Sequence, residues 1–145
     1  MLNTFICLML LNVLGAIPPT KSICLAGKKY QAKVIESTPN EYLCEAAQIH
    51  SEYQAYYGKQ GHQNFDYRYK AYREALGDYA IAEICAESWE WQANDDEEKL
   101  WLEAFHCWKQ SPGHWQVASK KHKMFGFGKA QGKNKIWYYT IIVAN

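Results

Sequence analysis

The 145-residue chain has 48% hydrophobic, 21% charged and 15% aromatic residues, which suits the core of one globular domain but not two domains. The six Trp, eleven Tyr and five Phe residues exclude a disordered chain, and the nine glycines show no collagen-like period. A formal net charge of +1 provides no overall basic field, so composition gives no support for a nucleic-acid partner.

The N-terminal segment has the pattern of a secretory signal peptide. Residues 5–17 form a nearly unbroken apolar run, which is shorter than the roughly 18 residues of a membrane span. The run ends at small residues around Ala16. We therefore predict a signal peptide over residues 1–16, with cleavage as late as residue 26 as a variant, and a secreted, extracellular or periplasmic protein without a membrane span. No Lys or Arg precedes the run, and a buried N-terminal strand or helix is the alternative.

Cleavage after Ala16 leaves an even number of cysteines in an oxidising compartment, namely Cys24, Cys44, Cys85 and Cys107. An even set predicts disulfides, with three possible pairings. No Cys-x-x-Cys pair occurs, so a structural zinc knuckle has no support.

The first long helix is predicted from Thr38 to Gly58. Thr38 suits the N-cap, Pro39 the first helical position, and Glu41 completes a capping box. Apolar residues then recur every three or four positions, which is typical of an amphipathic helix facing the core. This stripe consists of Tyr42, Ala46, Ile49, Tyr53 and Tyr56, and it is widened by Leu43, Ala47, His50 and Tyr57.

The remaining elements alternate in type. A second helix is predicted between Asn64 and Gly77, and a third begins with a capping box at Asn94 and ends before Pro112. Strands are predicted over residues 79–85, 124–128 and 136–143. The mixed order of helices and strands predicts an α+β fold.

Glu83 is a carboxylate within an otherwise apolar strand. A charge in that position must be paired, hydrogen-bonded or part of a site.

The five histidines do not have the spacing of a common zinc module. His62 and His114 each follow a glycine at a helix end, where rigidly held loops present side chains to ligands, but spacing alone does not join them into one site. We interpret His50 as a hydrogen-bonded core residue, and His106 and His122 as surface residues.

The chain beyond Glu103 contains no Asp or Glu but seven lysines, at positions 109, 120, 121, 123, 129, 133 and 135. A solvated basic face explains them, and attraction to an anionic surface is the alternative.

The ordered motifs resemble the CAP superfamily (cysteine-rich secretory proteins, pathogenesis-related proteins and allergens) in its bacterial-type, SCP-like form. In the C-terminal half the resemblance rests on Trp108, Ser111-Pro112-Gly113-His114, Gly126-x-Gly128 and Trp137-Tyr138-Tyr139. In the N-terminal half it rests on Ala47–Ser51, His62, Phe65-Asp66-x-Arg68 and Ala82-Glu83-Ile84.

The resemblance implies a single CAP domain over residues 38–145, folded as a three-layer α-β-α sandwich with a central antiparallel sheet. It also implies that His62, Glu83 and His114 converge in one cleft. There His62 and His114 would be ligands of zinc or another divalent metal, and Glu83 a third ligand or the group that orients a histidine.

Two positions depart from the pattern. Ile84 replaces the asparagine expected after Glu83, and Trp115 follows His114 where smaller or basic residues are usual. Animal and plant members carry a second cavity glutamate, for which Glu103 is the nearest candidate.

Three functions follow from this resemblance and from the lysines. The first is a secreted binding or interaction protein without robust catalysis, acting on an unidentified extracellular protein, lipid or small molecule. The second is a metal-assisted hydrolase of peptide or cell-wall substrates, with Glu83 as general base. The third is binding of lipid or an anionic surface.

Overall fold

The computed structural model describes residues 19–88 and 96–145. The signal peptide predicted over residues 1–16 and the predicted cap Asn94 lie outside these ranges. The described helices are α1 (Pro19–Tyr30), a 3-10 helix (Lys33–Glu36), α2 (Glu41–Tyr57), α3 (Phe65–Leu76), α4 (Glu97–Gln110) and α5 (Pro112–Ala118). The strands are β1 (Thr38–Pro39), β2 (Ile81–Glu87), β3 (Met124–Gln131) and β4 (Trp137–Ala144).

The four strands form one sheet in the order β1-β3-β4-β2. β4 lies antiparallel between β2 and β3, whereas the two-residue β1 pairs parallel with β3. The sheet is therefore mixed, and the expectation of an entirely antiparallel sheet is wrong at this edge. Helices together with a sheet make the protein α+β, as predicted.

Helices cover both faces of the sheet, because alternate residues of β4 contribute to different cores. Ile142 and Ala144 pack with Leu43 and Ala47 of α2. Side chains at the intervening positions pack with α1 and α4, in a larger core that includes Ile23, Trp101, Phe105, Tyr139, Ile141 and Val143. This alternation follows from the two-residue period of a strand.

The packed core begins earlier than the predicted domain start at residue 38. Ile23 and Ala26 of α1 are fully buried, and so is Val34 of the 3-10 helix. The folded unit therefore includes α1, and cleavage after residue 26 would divide this helix. In the part of the chain that the structure describes, no helix has both the length and the apolarity needed to cross a membrane.

α2 packs on the sheet through one edge of the predicted stripe, the edge that contains Leu43, Ala47 and His50. A Cβ at Gly126 would overlap the backbone of Leu43, and one at Gly128 would overlap that of Gln48. The helix backbone thus lies directly on β3, and only small or slender side chains fit between them. The buried residues of α2 are Leu43, Ala47, His50, Ser51, Gln54 and Ala55. The predicted stripe is therefore correct at Leu43, Ala47 and His50, whereas the expectation that its tyrosines face the core is wrong.

Helix starts also differ from the prediction. Thr38 and Pro39 belong to β1, and Asn40 is the N-cap of α2, where its side chain accepts a hydrogen bond from Leu43 N. Gly58 ends the helix in the left-handed conformation with φ 62°, as predicted. Asp96 caps α4 by accepting from Glu98 N and Lys99 N.

Within residues 19–88 and 96–145 the cysteines form no disulfide, so the predicted disulfides are absent from this structure. Cys24 of α1 and Cys107 of α4 pack against the larger core. Cys44 of α2 and Cys85 of β2 lie on the other side of the sheet. Cys44 contacts the backbone of Phe127 on β3, and β4 separates β3 from Cys85 on β2. Cys44 and Cys85 are therefore separated by two strand spacings, about 10 Å, which is farther than a disulfide can bridge.

Candidate functional site

Glu83 is the centre of a buried ionic cluster. Its side chain is 1% exposed, and Arg68 of α3 contacts both carboxylate oxygens. Arg68 Nη2 donates to Oε1 at 3.0 Å, and Nη1 makes a close contact with Oε2. The same guanidinium donates to the Gln63 carbonyl at 3.1–3.2 Å and to the Tyr72 hydroxyl at 2.9 Å. The carboxylate that the sequence placed inside an apolar strand thus has a paired charge.

Glu83 is ionised because its partners outweigh its burial. Burial alone would raise the pKa of this carboxyl, but the hydrogen bonds from His62 and Arg68 and the charges of His50 and Arg68 lower it to about 2. The group is therefore a stable anion at neutral pH.

His62 is oriented by that anion. Its Nδ1 lies 2.9 Å from Glu83 Oε1, and its side chain is 44% exposed. A carboxylate can only accept, so Nδ1–H donates and the lone pair of the neutral ring lies on Nε2. The nitrogen that is free to bind a ligand is thereby fixed on a half-exposed ring.

His114 lies beside His62, with ring centroids 6.0 Å apart and planes tilted by 38°. It belongs to α5, which begins at Pro112, so the expectation that His114 sits in a loop is wrong. Burial and the neighbouring His62 lower the pKa of His114, which favours the neutral imidazole. The structure thus brings His62, Glu83 and His114 together.

A second set of potential metal donors lies deeper. Ligand atoms of His50, Glu83 and Cys85 lie within 4.8 Å of one another. His50 Nε2 donates to the Gly61 carbonyl at 2.8 Å, and burial lowers the pKa of this ring. Burial also raises the pKa of the Cys85 thiol well above its usual value.

Hydrogen bonds or protonation make all three groups unavailable as metal ligands in this structure. The Nε2–H of His50 points at a carbonyl, both oxygens of Glu83 contact Arg68, and Cys85 is a protonated thiol. Metal ligands must be deprotonated and accessible, so this deeper set is better suited to supporting the cleft than to holding an ion. His50 is the hydrogen-bonded core residue that the sequence indicated.

Arg68 is the functional residue that the sequence analysis did not identify as such. It appeared only within a helix motif, without a role. The sequence indicated such a residue only indirectly, because a buried carboxylate such as Glu83 requires a cationic partner. Cys85 was considered only as a disulfide partner, yet its Sγ lies 3.8 Å from His62 Nδ1.

Three other candidates lie elsewhere. Glu103 is buried and accepts from the Tyr139 hydroxyl at 3.1 Å, on the face of the sheet opposite to Glu83, so it is not the second cavity glutamate. His106 is exposed on α4 and contacts the Tyr30 hydroxyl, as a surface residue. His122 is 8% exposed and donates from Nε2 to the Val117 carbonyl at 2.9 Å; its assignment to the surface is wrong.

The seven lysines beyond Glu103, the lysine-rich segment, do not form a uniformly solvated face. Three of its lysines lie over aromatic rings: Lys109 over Trp115, Lys123 over Tyr79 and Lys129 over Trp137. Anionic-surface binding by this segment stays a prediction.

The chain matches no protein-family model and no curated protein. Among solved structures it is similar to an outer surface protein from Borrelia burgdorferi, with a TM-score of 0.63 and 13% sequence identity. The similarity covers 87% of this chain and 88% of that protein. At this identity the similarity concerns the fold.

Proposed function

We propose that this is a secreted, CAP-like binding protein whose cleft holds a divalent metal ion, with His62 and His114 as ligands and Glu83 orienting His62. The observation that carries the proposal is the pair of adjacent imidazoles, 6.0 Å apart, one of which is fixed by a buried carboxylate. The signal-peptide pattern, and a structural neighbour named as an outer surface protein, support a location outside the cell.

The donor set suits zinc or a similar ion. Neutral imidazole nitrogens are common zinc ligands, and a carboxylate that accepts from the other ring nitrogen fixes the orientation and raises the basicity of the ligand. Glu83 has this relation to His62. Two protein ligands leave the remaining positions to water or to donor groups of a partner, which favours a role in binding.

Glu83 is better suited to orienting His62 than to removing a proton. Its pKa of about 2 makes it a weak base near neutral pH, where an effective general base has a pKa near the working pH. Arg68 also occupies both of its oxygens. We therefore favour ligand binding over hydrolysis.

Calorimetric titration with Zn²⁺ tests the proposal on wild type and on His62→Ala, His114→Ala and His106→Ala. We expect one site with a Kd of about micromolar that weakens at least tenfold in the first two variants. His106→Ala is the matched control, because that ring is exposed on α4, away from the cleft. Zinc binding that is absent from wild type, or equal in His62→Ala and His106→Ala, would contradict the proposal.

A further inference from the structure

α2 presents an aromatic surface to solvent. We define the α2 outer face as the exposed residues of this helix: Glu41, Tyr42, Glu45, Ile49, Glu52, Tyr53, Tyr56 and Tyr57. Its large side chains are exposed by 36% (Tyr42), 58% (Ile49), 36% (Tyr53), 78% (Tyr56) and 62% (Tyr57). Such a group of exposed apolar rings is typical of an interaction site.

Three of the rings are arranged against one another. Tyr57 lies 4.6 Å from Tyr53 and 5.0 Å from Tyr56, measured between ring centroids. Mutual contact restricts their motion, and tyrosines held in this way bury large areas on binding at a small cost in conformational entropy. Tyrosine is also among the residues enriched in interface hot spots.

The charged residues of this face are all acidic. α2 contains Glu41, Glu45 and Glu52 and no Lys or Arg. Among the described residues none of the three forms an ion pair, and Glu52 accepts a hydrogen bond from Gln48 at 2.9 Å. A partner that covers these carboxylates must bring positive charge, because burying them unpaired is costly.

Two places in this molecule show how a cation occupies such a surface. Lys129 Nζ lies 2.6 Å from Glu97 Oε1 and 4.6 Å from the centroid of the Trp137 ring. Arg68 pairs with Glu83 while lying 5.5 Å from the Phe65 centroid. In both cases one cation contacts a carboxylate and an aromatic face together.

We propose that the α2 outer face docks a lysine- or arginine-rich segment of a partner protein. The cationic side chains pair with Glu45 and Glu52 and lie over the rings of Tyr53, Tyr56 and Tyr57, which combines ion pairing with cation–π attraction. This surface uses none of the proposed metal ligands, so its function does not depend on an ion in the cleft.

Fluorescence anisotropy with labelled octa-arginine as the probe tests this proposal on the full chain. We expect saturable binding that weakens about two- to fivefold in Tyr56→Ser, the range of one exposed cation–π contact, and also weakens in Glu45→Gln. Tyr67→Ser is the matched control, because Tyr67 on α3 is also 78% exposed; its affinity should equal that of wild type. Glu74→Gln, likewise exposed on α3, controls for the loss of one charge.

Several results would overturn the proposal. One is an equal loss of octa-arginine affinity in Tyr56→Ser and Tyr67→Ser. Another is a loss of affinity in Glu45→Gln and Glu74→Gln without one in Tyr56→Ser, which would indicate general charge attraction. Sedimentation that reveals a dimer abolished by Tyr56→Ser would identify a second copy as the occupant. Binding to phosphatidylcholine vesicles that is lost in Tyr56→Ser would identify a membrane. Zinc titration of Tyr56→Ser separates this surface from the cleft, since its zinc affinity should be unchanged.

Discussion

At the scale of single residues, one buried carboxylate determines the state of the cleft. Glu83 accepts from Arg68 and from His62, so the cation neutralises the anion while the anion selects the protonated nitrogen of the imidazole. Both interactions are needed to hold a charged Glu83 and an oriented His62 in the cleft. Without Arg68 the buried carboxylate would lack its cation, and without Glu83 the His62 ring would have no fixed orientation.

Arg68→Ala should lower the free energy of unfolding by about 3 kcal/mol, because it leaves a buried charge without its partner. Urea denaturation measures this change. The double variant Arg68→Met with Glu83→Gln removes both charges and should be more stable than Arg68→Ala. A loss below about 1 kcal/mol in Arg68→Ala would contradict the role of this ion pair.

The stability of the protein should fall in acid because of Glu83. Its pKa is about 2 in the folded state against an ordinary 4.5, so its stabilising contribution is fully present above pH 4.5 and is lost as pH falls towards 2. The difference corresponds to about 3 kcal/mol. Glu83→Gln should remove this part of the pH dependence, as measured by denaturation at several pH values. Parallel profiles for wild type and variant would disagree with this prediction.

At the scale of elements, the close approach of α2 to β3 decides which face of the helix is buried. Gly126 and Gly128 allow the backbones to meet, and the tyrosines are left on the outside. The apolar periodicity of α2 correctly predicts a helix and includes Leu43, Ala47 and His50 of the buried face, but it does not predict which edge of the stripe is buried. That depends on two glycines some 80 residues away in sequence, which become neighbours only through the fold.

Gly126→Ala should destabilise the protein by about 3 kcal/mol, because the added methyl group overlaps the Leu43 backbone and α2 must move. Gly113→Ala is the control, since a Cβ there meets no atom within 4 Å. Thermal unfolding of both variants measures the contrast. Equal melting temperatures would show that the helix does not rest on the strand backbone.

At the scale of the whole molecule, α1 completes the core on the side of the sheet opposite to α2. Its residues pack with α4 around Trp101 and Phe105. The family resemblance implied a domain start at residue 38, which leaves this helix, Pro19–Tyr30, outside the domain.

Ile23→Ala should cost about 2–5 kcal/mol of stability, because the fully buried side chain leaves a cavity. Leu25→Ala, where the side chain is 37% exposed, is the matched control and should change stability by less than about 0.5 kcal/mol. Denaturant unfolding compares the two. Similar small effects would mean that α1 is not part of the folded core.

The site could be predicted only in part. Glu83 stood out because a charge inside an apolar strand requires a partner, and the family resemblance supplied His62 and His114. Arg68 was missed, since the pairing of α3 with β2 is not encoded in any local pattern. His122 was misplaced for the same reason. Its backbone N–H donates to Ser37 Oγ and its Nδ1 contacts the Asn145 side chain, and neither partner is near it in sequence.

We propose that Glu83 fixes His62 so that its Nε2 can bind a metal together with His114. Nitrogen-15 NMR of the histidine rings tests it most directly, at about pH 8.5, where histidines are neutral, before and after Zn²⁺ is added. We predict that His62 is protonated at Nδ1 and that Zn²⁺ shifts its Nε2 and a ring nitrogen of His114. Protonation of His62 at Nε2, or a response confined to His50, would contradict the account.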